Sequence, residues 1–196
     1  MIKNIDQQLK KYASENELAL KNTIKKNNKK ILFIINKISS VLKNKGKVFI
    51  CGNGGSAAEA QHLAAEFLVR LRPKINRKPL PMISLALDTS TITACSNDYN
   101  FKHLFSRNLE ALSSKKDLLI CLSTSGTSKN IIEVLKKSKK LGVYSVSLLG
   151  KKKSISEKLS NHFIKVESEN TARIQEIQLF LGHFILEHVE RDIFKK

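Results

Sequence analysis

The stretch that decides the fold is KVFICGNGGSAAEAQHLAAEF, Lys47 to Phe67. Its start, KVFIC, is short and mostly apolar, which predicts a first buried strand. The glycines of GNGGS allow a tight turn, and the alanine-rich continuation predicts a helix over about residues 56–69. A buried strand joined to a helix by a short glycine loop is typical of an α/β domain.

Four more short apolar runs follow along the chain, and segments with helical patterns separate them. Because the runs are nearly continuously apolar rather than alternating, they predict parallel strands in a sheet covered by helices on both faces. The predicted strands are Met82–Leu87, Asp117–Ser123, Tyr144–Gly150 and His162–Val166, and the predicted helices are Ser56–Val69, Phe101–Leu112, Ser128–Leu141 and Ser154–Leu159.

Helical segments are also predicted at both ends of the chain. Apolar residues recur every three to four positions from Leu18 to Leu42, which indicates an amphipathic helix, and a shorter helix is expected before it. A final helix is predicted over Ala172–Phe194. The 196 residues are expected to form one domain, with a helical arm at 1–45 and an α/β core at 46–196. The proline-bearing stretch Arg72–Pro81 is interpreted as a surface connection.

The charge balance is strongly basic, with 35 Lys and Arg against 17 Asp and Glu and a net charge of +18. This balance can indicate a nucleic-acid partner. Nearly all of the positive charge is lysine scattered along the chain, however, which favours a solvated surface over nucleic-acid binding. The three cysteines have no CxxC spacing and are expected to be buried thiols. No run of about twenty apolar residues and no signal-peptide core is found, so no membrane association is expected and the predicted location is the cytoplasm.

The loop after the first strand, Gly52–Ser56, superficially resembles a nucleotide-binding turn. It lacks the third glycine of GxGxxG and the lysine of a P-loop, so a nucleotide site is not favoured. Ser56 and Glu59 have the spacing of a capping box at the start of the helix. By itself this loop is compatible with an ordinary turn and helix cap.

A second loop, Ser123–Ser128, follows the strand Asp117–Ser123 and precedes another predicted helix. Hydroxyl groups together with free N–H groups at a helix start suit a phosphate dianion. Serine and threonine are also common in ordinary turns. Two such loops at the carboxyl edge of one parallel sheet, where ligands bind in this fold class, make a stronger case for a ligand site.

Four polar residues lie on otherwise apolar helices. His62 and Glu66 are four residues apart and share a helix face, where they can bind a divalent metal or act as an acid/base pair, although a simple surface pair is the alternative. Gln175 and His183 lie about 12 Å apart along the final helix. At this separation their side chains can reach one shared ion only if both are fully extended. It is equally open that the two residues belong to different sites of an oligomer.

Four segments of the chain together resemble one family, the phosphoheptose isomerases of the sugar isomerase (SIS) fold. The segments are CGNGGSAAEAQHLAAEF, LALDTSTITACSNDYNF, LSTSGTSKN and ARIQEIQLFLGH. The resemblance implies a flavodoxin-like three-layer α/β sandwich with a five-stranded parallel sheet, and a homotetramer. It also implies interconversion of sedoheptulose 7-phosphate and D-glycero-D-manno-heptose 7-phosphate, with one zinc ion per subunit.

The same resemblance assigns roles to individual residues. Asn53, Gly54, Gly55 and Ser56 are expected at the sugar site, as are Asn97 and Asp98. The phosphate is expected on Ser123, Thr124, Ser125 and Ser128. His62, Glu66, Gln175 and His183 match the family's zinc positions, with Glu66 and Gln175 also near the substrate and Glu66 and His183 the acid/base candidates. Some members carry an aspartate where this chain has Ala172, so any role of that carboxylate is absent.

The residues fit aldose–ketose chemistry, which moves a proton between neighbouring carbons through an enediol. The hypothesis is that Glu66 removes the C1 proton and His183 transfers protons at the oxygens. Two other functions stay open. One is a non-catalytic SIS adaptor that binds a replication initiator, which the retained Glu66 and His183 argue against. The other is an isomerase or sensor for a different sugar phosphate.

Overall fold

Five parallel strands form the central sheet of the protein, whose computed structural model describes residues 4–86 and 88–194. The strands lie in the order β2-β1-β3-β4-β5, the doubly wound order 2-1-3-4-5. They are β1 Val48–Cys51, β2 Met82–Ser84, β3 Leu118–Ser123, β4 Tyr144–Leu149 and β5 His162–Lys165. The prediction of a five-stranded parallel sheet is confirmed. The predicted end of β2 at Leu87 falls on a residue outside the described ones.

Seven α-helices connect and cover these strands within the described residues: α1 Ile5–Lys43, α2 Gly55–Ala65, α3 Thr89–Asp98, α4 Leu104–Leu112, α5 Lys129–Leu141, α6 Ile155–Leu159 and α7 Thr171–Ile193. A π-helical turn, Glu66–Arg70, continues α2, and a 3₁₀ turn, Phe101–His103, precedes α4. Helices α1, α2 and α7 pack on one face of the sheet, while α4 and α5 pack on the other, which gives three layers.

The N-terminal arm is one continuous helix. The predicted division into a short helix and a longer one is wrong, because α1 runs without a break for 39 residues. Its second half is buried through Ile31, Ile34 and Ile38 and packs along α7. Most of its first half is exposed, with Leu9 and Leu18 61% and 62% accessible. None of the described helices combines the length and the apolarity needed to cross a membrane.

Two neighbouring strands bring two cysteines together beneath the ligand loops. Cys51 of β1 and Cys121 of β3 are register partners, and their sulfur atoms are 3.6 Å apart. Both are fully buried thiols, and Cys95 is a buried thiol as well. Burial raises the pKa of Cys51 well above its usual range. The prediction of buried, unpaired thiols is confirmed for these residues.

Candidate active site

The clearest cluster of reactive side chains lies between α2 and α7 and consists of His62, Glu66 and His183. The Nε2 atoms of His62 and His183 are 2.8 Å apart, and His62 Nε2 is 3.5 Å from Glu66 Oε1. One potential ligand atom from each residue lies within 4.8 Å of the others, so the three can hold a metal ion. Two imidazoles and a carboxylate are also a set that can accept and donate protons.

A glycine on α7 allows the two helices to approach closely enough for this contact. A Cβ atom added at Gly182 would lie 2.6 Å from Leu63 Cδ1, well inside van der Waals contact. Because Gly182 has no side chain, α7 packs directly on α2, and the next residue, His183, reaches His62. The glycine therefore determines the separation of the two histidines.

The environment of His183 favours its neutral form. Burial lowers its pKa first, the neighbouring His62 lowers it further, and the carboxylate of Glu66 partly opposes both effects. The 2.8 Å contact requires one Nε2 to donate a proton and the other to accept it. A neutral imidazole can serve as a proton acceptor or as a metal ligand.

The π-helical turn that carries Glu66 is fixed by an arginine that the sequence analysis did not select. Arg77 donates to the carbonyl oxygens of Glu66 and Phe67, each at 2.8 Å. Its side chain is only 1% exposed and also pairs with Glu190, which is fully buried and bonded to Arg72 as well. Burial alone would raise the pKa of Glu190, but the hydrogen bonds from both arginines outweigh it and lower the pKa. The interpretation of Arg72–Pro81 as only a surface connection is therefore wrong for Arg77.

The two ligand loops are joined to each other by a pair of amides. Asn53 and Asn130 exchange two side-chain hydrogen bonds, at 2.8 and 2.7 Å. Asn130 was not among the predicted site residues, since a lone asparagine in a helix has no distinctive pattern. The amide pair connects the glycine loop after β1 to the first turn of α5.

A cavity of about 180 Å³ lies between the two loops at the carboxyl edge of the sheet. Within the second loop, the Gly126 N–H donates to Ser123 Oγ at 3.0 Å, and Gly126 adopts a positive φ of 65°. The first N–H groups of α5 lack backbone partners inside the helix; that of Ile131 donates to Asn130 Oδ1 at 3.0 Å, and those before it suit an anion. Seven predicted site residues line the cavity, together with Leu122 and the unpredicted Thr171: Asn53, Ser56, Ser123, Thr124, Ser125, Ser128 and Gln175.

Gln175 is a residue of α7, and its side chain reaches the start of α2, not the two histidines. Its Nε2 donates to Ser56 Oγ at 3.4 Å, and its amide would contact a Cβ added at Gly55 at 2.6 Å. Seven residues of α2, about 10 Å along the helix axis, separate Gly55 from His62. Gln175 therefore lines the cavity between the loops, while His183, two turns later on α7, belongs to the His62 and Glu66 cluster.

The predicted capping box at Ser56 and Glu59 is wrong. Helix α2 begins at Gly55 after Gly54, whose φ is 55°, and no side chain caps it. The turn closes early, with the Ser56 N–H bonded to Asn53 O at 3.0 Å, so Ser56 is already inside the helix. Glu59 is instead buried, and neither carboxylate oxygen has a hydrogen-bond partner among the described residues. Burial raises the pKa of Glu59 to about 7, and the nearby Ser56 hydroxyl, which does not meet hydrogen-bonding geometry with the carboxylate, opposes only part of this shift.

Asn97 and Asp98 are not brought to the cluster by the described contacts. They end α3, are exposed, and are bonded to each other through Asn97 Nδ2 and Asp98 Oδ1 at 2.8 Å. Helix α3 packs against the 3₁₀ turn and α4, on the side of the sheet away from α7. Their role at the sugar site stays a prediction.

The sheet order, the two joined loops and the His/Glu/His cluster define a sugar-phosphate domain of the SIS class. The SIS-domain family model matches residues 11–150. A phosphoheptose isomerase from Helicobacter pylori is 40% identical over 98% of this chain and 99% of its own length. One from Campylobacter concisus is 48% identical over 78% of this chain and 80% of its own length.

Solved structures agree with these sequence matches. The phosphoheptose isomerase GmhA from Neisseria gonorrhoeae superposes with a TM-score of 0.88 at 31% identity, covering 95% of this chain and 99% of that one. The chain belongs to the phosphoheptose isomerase family, and it is an isomerase. The family model ends at residue 150, before Gln175 and His183. The Helicobacter match covers 98% of the chain and so extends past that point.

Proposed function

We propose that this isomerase interconverts sedoheptulose 7-phosphate and D-glycero-D-manno-heptose 7-phosphate, a step toward nucleotide-activated heptoses. One observation carries the proposal. A cavity lined by hydroxyl groups and an acid/base cluster both lie along α2 and α7, two helical turns apart. The cavity suits the phosphate end of an extended sugar. The cluster suits the carbonyl end, where the proton is transferred.

The phosphate is assigned to the second loop. Ser123, Thr124, Ser125 and Ser128 supply hydroxyl groups, and the N-terminus of α5 supplies N–H groups and its positive dipole end. Asn53 lines the same cavity from the first loop, and Gly55 leaves room for the Gln175 amide. Gly54 and Gly55 stay predicted contacts of the sugar. We assign Ser56 and Gln175 to hydroxyl groups of the sugar, and Asn97 and Asp98 stay predicted contacts.

Glu66 is assigned as the base that removes the C1 proton of the ketose and returns it to C2 through the enediol. Its side chain is only 19% exposed and lies on a turn held by Arg77, so its position is fixed. His183, neutral and in contact with His62, is assigned to proton transfer at the sugar oxygens.

Zinc fits the donor set of the cluster. His62, Glu66 and His183 supply two nitrogens and one oxygen, the ligand types found in catalytic zinc sites. When bound there, zinc would polarise the carbonyl oxygen of the sugar. Gln175 is not assigned to this ion, because its amide lies beside Gly55, about 10 Å along α2 from His62.

The homotetramer is proposed on the resemblance and on the apolar surface of two helices. Leu9 and Leu18 of α1 and Phe180 and Phe184 of α7 are exposed, although they lie on amphipathic helices. Light scattering after size-exclusion chromatography should give a mass close to four chains of 22.1 kDa. A mass of one chain at micromolar concentration would refute this.

The enzymatic test is turnover of sedoheptulose 7-phosphate by the purified protein, as isolated, after chelation, and after addition of zinc. Formation of the aldose by the wild type and its loss in Glu66→Gln are expected. Absence of aldose under all three conditions would refute the substrate assignment. Because curated relatives at 40 to 48% identity are named isomerases, a non-catalytic adaptor is not favoured.

A further inference from the structure

A run of three lysines, Lys151–Lys153, lies beside the phosphate loop and has no role in the chemistry assigned above. The run directly follows β4, so it leaves the sheet at the same carboxyl edge as the loop after β3. All three residues are exposed. They belong to the excess of positive charge that the sequence analysis interpreted as a general solvated surface.

Two close contacts hold the lysine segment against the phosphate loop. A Cβ added at Gly150 would lie 2.4 Å from the carbonyl oxygen of Thr124, so the two backbones touch where the segment begins. At its other end, Ser156 Oγ donates to the carbonyl oxygen of Gly126 at 2.7 Å. The segment 150–156 therefore lies along the phosphate loop and is bonded to it.

The phosphate loop separates two cavities. One is the cavity of about 180 Å³ that Gln175 lines. The other, of about 230 Å³, is lined by the three lysines together with Thr124, Ser125, Thr127, Ser168, Glu169 and Ile174. Thr124 and Ser125 line both cavities, so the lysines stand directly behind the hydroxyl groups to which the phosphate is assigned.

The positive charge in the second cavity is largely uncompensated. Glu169 is the single acidic residue of its lining, and it pairs with Lys152 at 3.4 Å. Among residues 4–86 and 88–194, Lys151 and Lys153 form no ion pair in this structure. Two unpaired ammonium groups next to a phosphate site create a positive potential that attracts a dianion.

We propose that Lys151 and Lys153 form an outer anion subsite that draws the phosphate group of the substrate to the Ser123–Ser128 loop. They are positioning residues that act on binding and not on proton transfer. This inference rests on the assignment of the phosphate to that loop, but not on the identity of the sugar. Any sugar phosphate, and inorganic phosphate itself, should therefore experience the attraction.

The experiment measures the dissociation constant of inorganic phosphate by isothermal titration calorimetry, at ionic strengths of about 0.1 M and about 1 M. Lys151→Gln/Lys153→Gln should weaken phosphate binding about tenfold at the lower salt concentration, the lower end of what focused charges achieve. The difference should fall below about twofold near 1 M salt, where the screening length is about 3 Å. Lys152→Gln, whose charge Glu169 already offsets, should have the smaller effect.

The matched control is Lys139→Gln/Lys140→Gln, which removes the same charge at the far end of α5. These lysines lie about 15 Å along the helix from its start at the phosphate loop, more than one screening length at 0.1 M salt. The control should leave phosphate affinity unchanged. An equal loss in both double variants, or a loss that does not depend on salt, would overturn the proposal.

Turnover separates this proposal from the proposed function. If the protein converts sedoheptulose 7-phosphate, Lys151→Gln/Lys153→Gln should raise KM and leave kcat within about twofold of the wild type. A large drop in kcat would assign the lysines to another role. If the wild type fails to convert that sugar, the titrations with inorganic phosphate still decide whether the subsite exists.

Discussion

Glu59 offers the sharpest test of how the helix beside the active site is packed. Its carboxyl group is buried on α2 without a hydrogen-bond partner among the described residues, and its pKa is raised to about 7 from an ordinary value of 4.5. The folded protein therefore holds a proton on Glu59 that the unfolded chain releases at lower pH. Replacement by glutamine keeps the shape and removes this titration.

The sign and size of the effect follow from the two pKa values. Below about pH 4.5 both states are protonated and Glu59 contributes nothing that depends on pH. Between pH 4.5 and 7 the unfolded state ionises first, so the free energy of unfolding falls as the pH rises. At about 1.4 kcal/mol per pH unit, with allowance for screening by nearby solvent, the loss amounts to about 2 to 3 kcal/mol above pH 7.

The measurement is urea unfolding of the wild type and Glu59→Gln, followed by circular dichroism at equal protein concentrations from pH 4.5 to 8. The stability of the variant relative to the wild type should increase by about 2 to 3 kcal/mol across that range. Glu17→Gln is the control whose difference from the wild type should stay nearly constant over this range, because a hydrogen bond and the charge of Lys21 lower the pKa of Glu17 and move its titration below pH 4.5. A difference for Glu59→Gln that does not change with pH would refute the packing argument.

Three further substitutions test the elements that hold the site. Arg77→Met should lower the free energy of unfolding by about 3 to 5 kcal/mol, because it leaves Glu190 buried with one partner fewer. Arg72→Met should lower it by less, since the Arg72 side chain is 26% exposed. Gly182→Ala should cost about 1 to 3 kcal/mol and lower kcat by pushing α7 from α2, and adding Leu63→Ala should restore part of both. Asn130→Ala should raise KM with little change in melting temperature, since it releases Asn53 and unlinks the loops. Thermal and urea unfolding with steady-state kinetics check all three, and unchanged values would contradict the role given to each residue.

The fold was largely predictable because each strand is a compact apolar run between helical segments. Helix α3 was missed for a physical reason. Its sequence, TSTITACSND, is polar and rich in β-branched residues and shows no apolar period. The helix forms because Asp88 caps it, accepting the Thr91 N–H at 2.8 Å, and because Cys95 is buried against the core. The break expected in α1 was wrong because the first half, although largely exposed, contains no glycine or proline to interrupt a helix.

For the site, local spacing was informative and long-range contacts were not. The four-residue spacing of His62 and Glu66 predicted a shared face, and the hydroxyl loop was recognisable from its composition. The 2.8 Å approach of His183 depends on the close packing of α7, at Gly182, against Leu63 of α2, which no local pattern encodes. Arg77 and Asn130 act through contacts ten or more residues away in sequence, so neither had a signal in its own neighbourhood.

The most direct test of the central claim is proton exchange at the sugar, followed by NMR in D₂O with sedoheptulose 7-phosphate. If Glu66 removes a proton from C1 and returns one to C2, the wild type should place deuterium from solvent at C2 of the aldose. Glu66→Gln should reduce this exchange at least about a hundredfold, whereas Glu59→Gln, three residues from His62 on the same helix, should retain most of it. Exchange at the wild-type rate in Glu66→Gln would contradict the account.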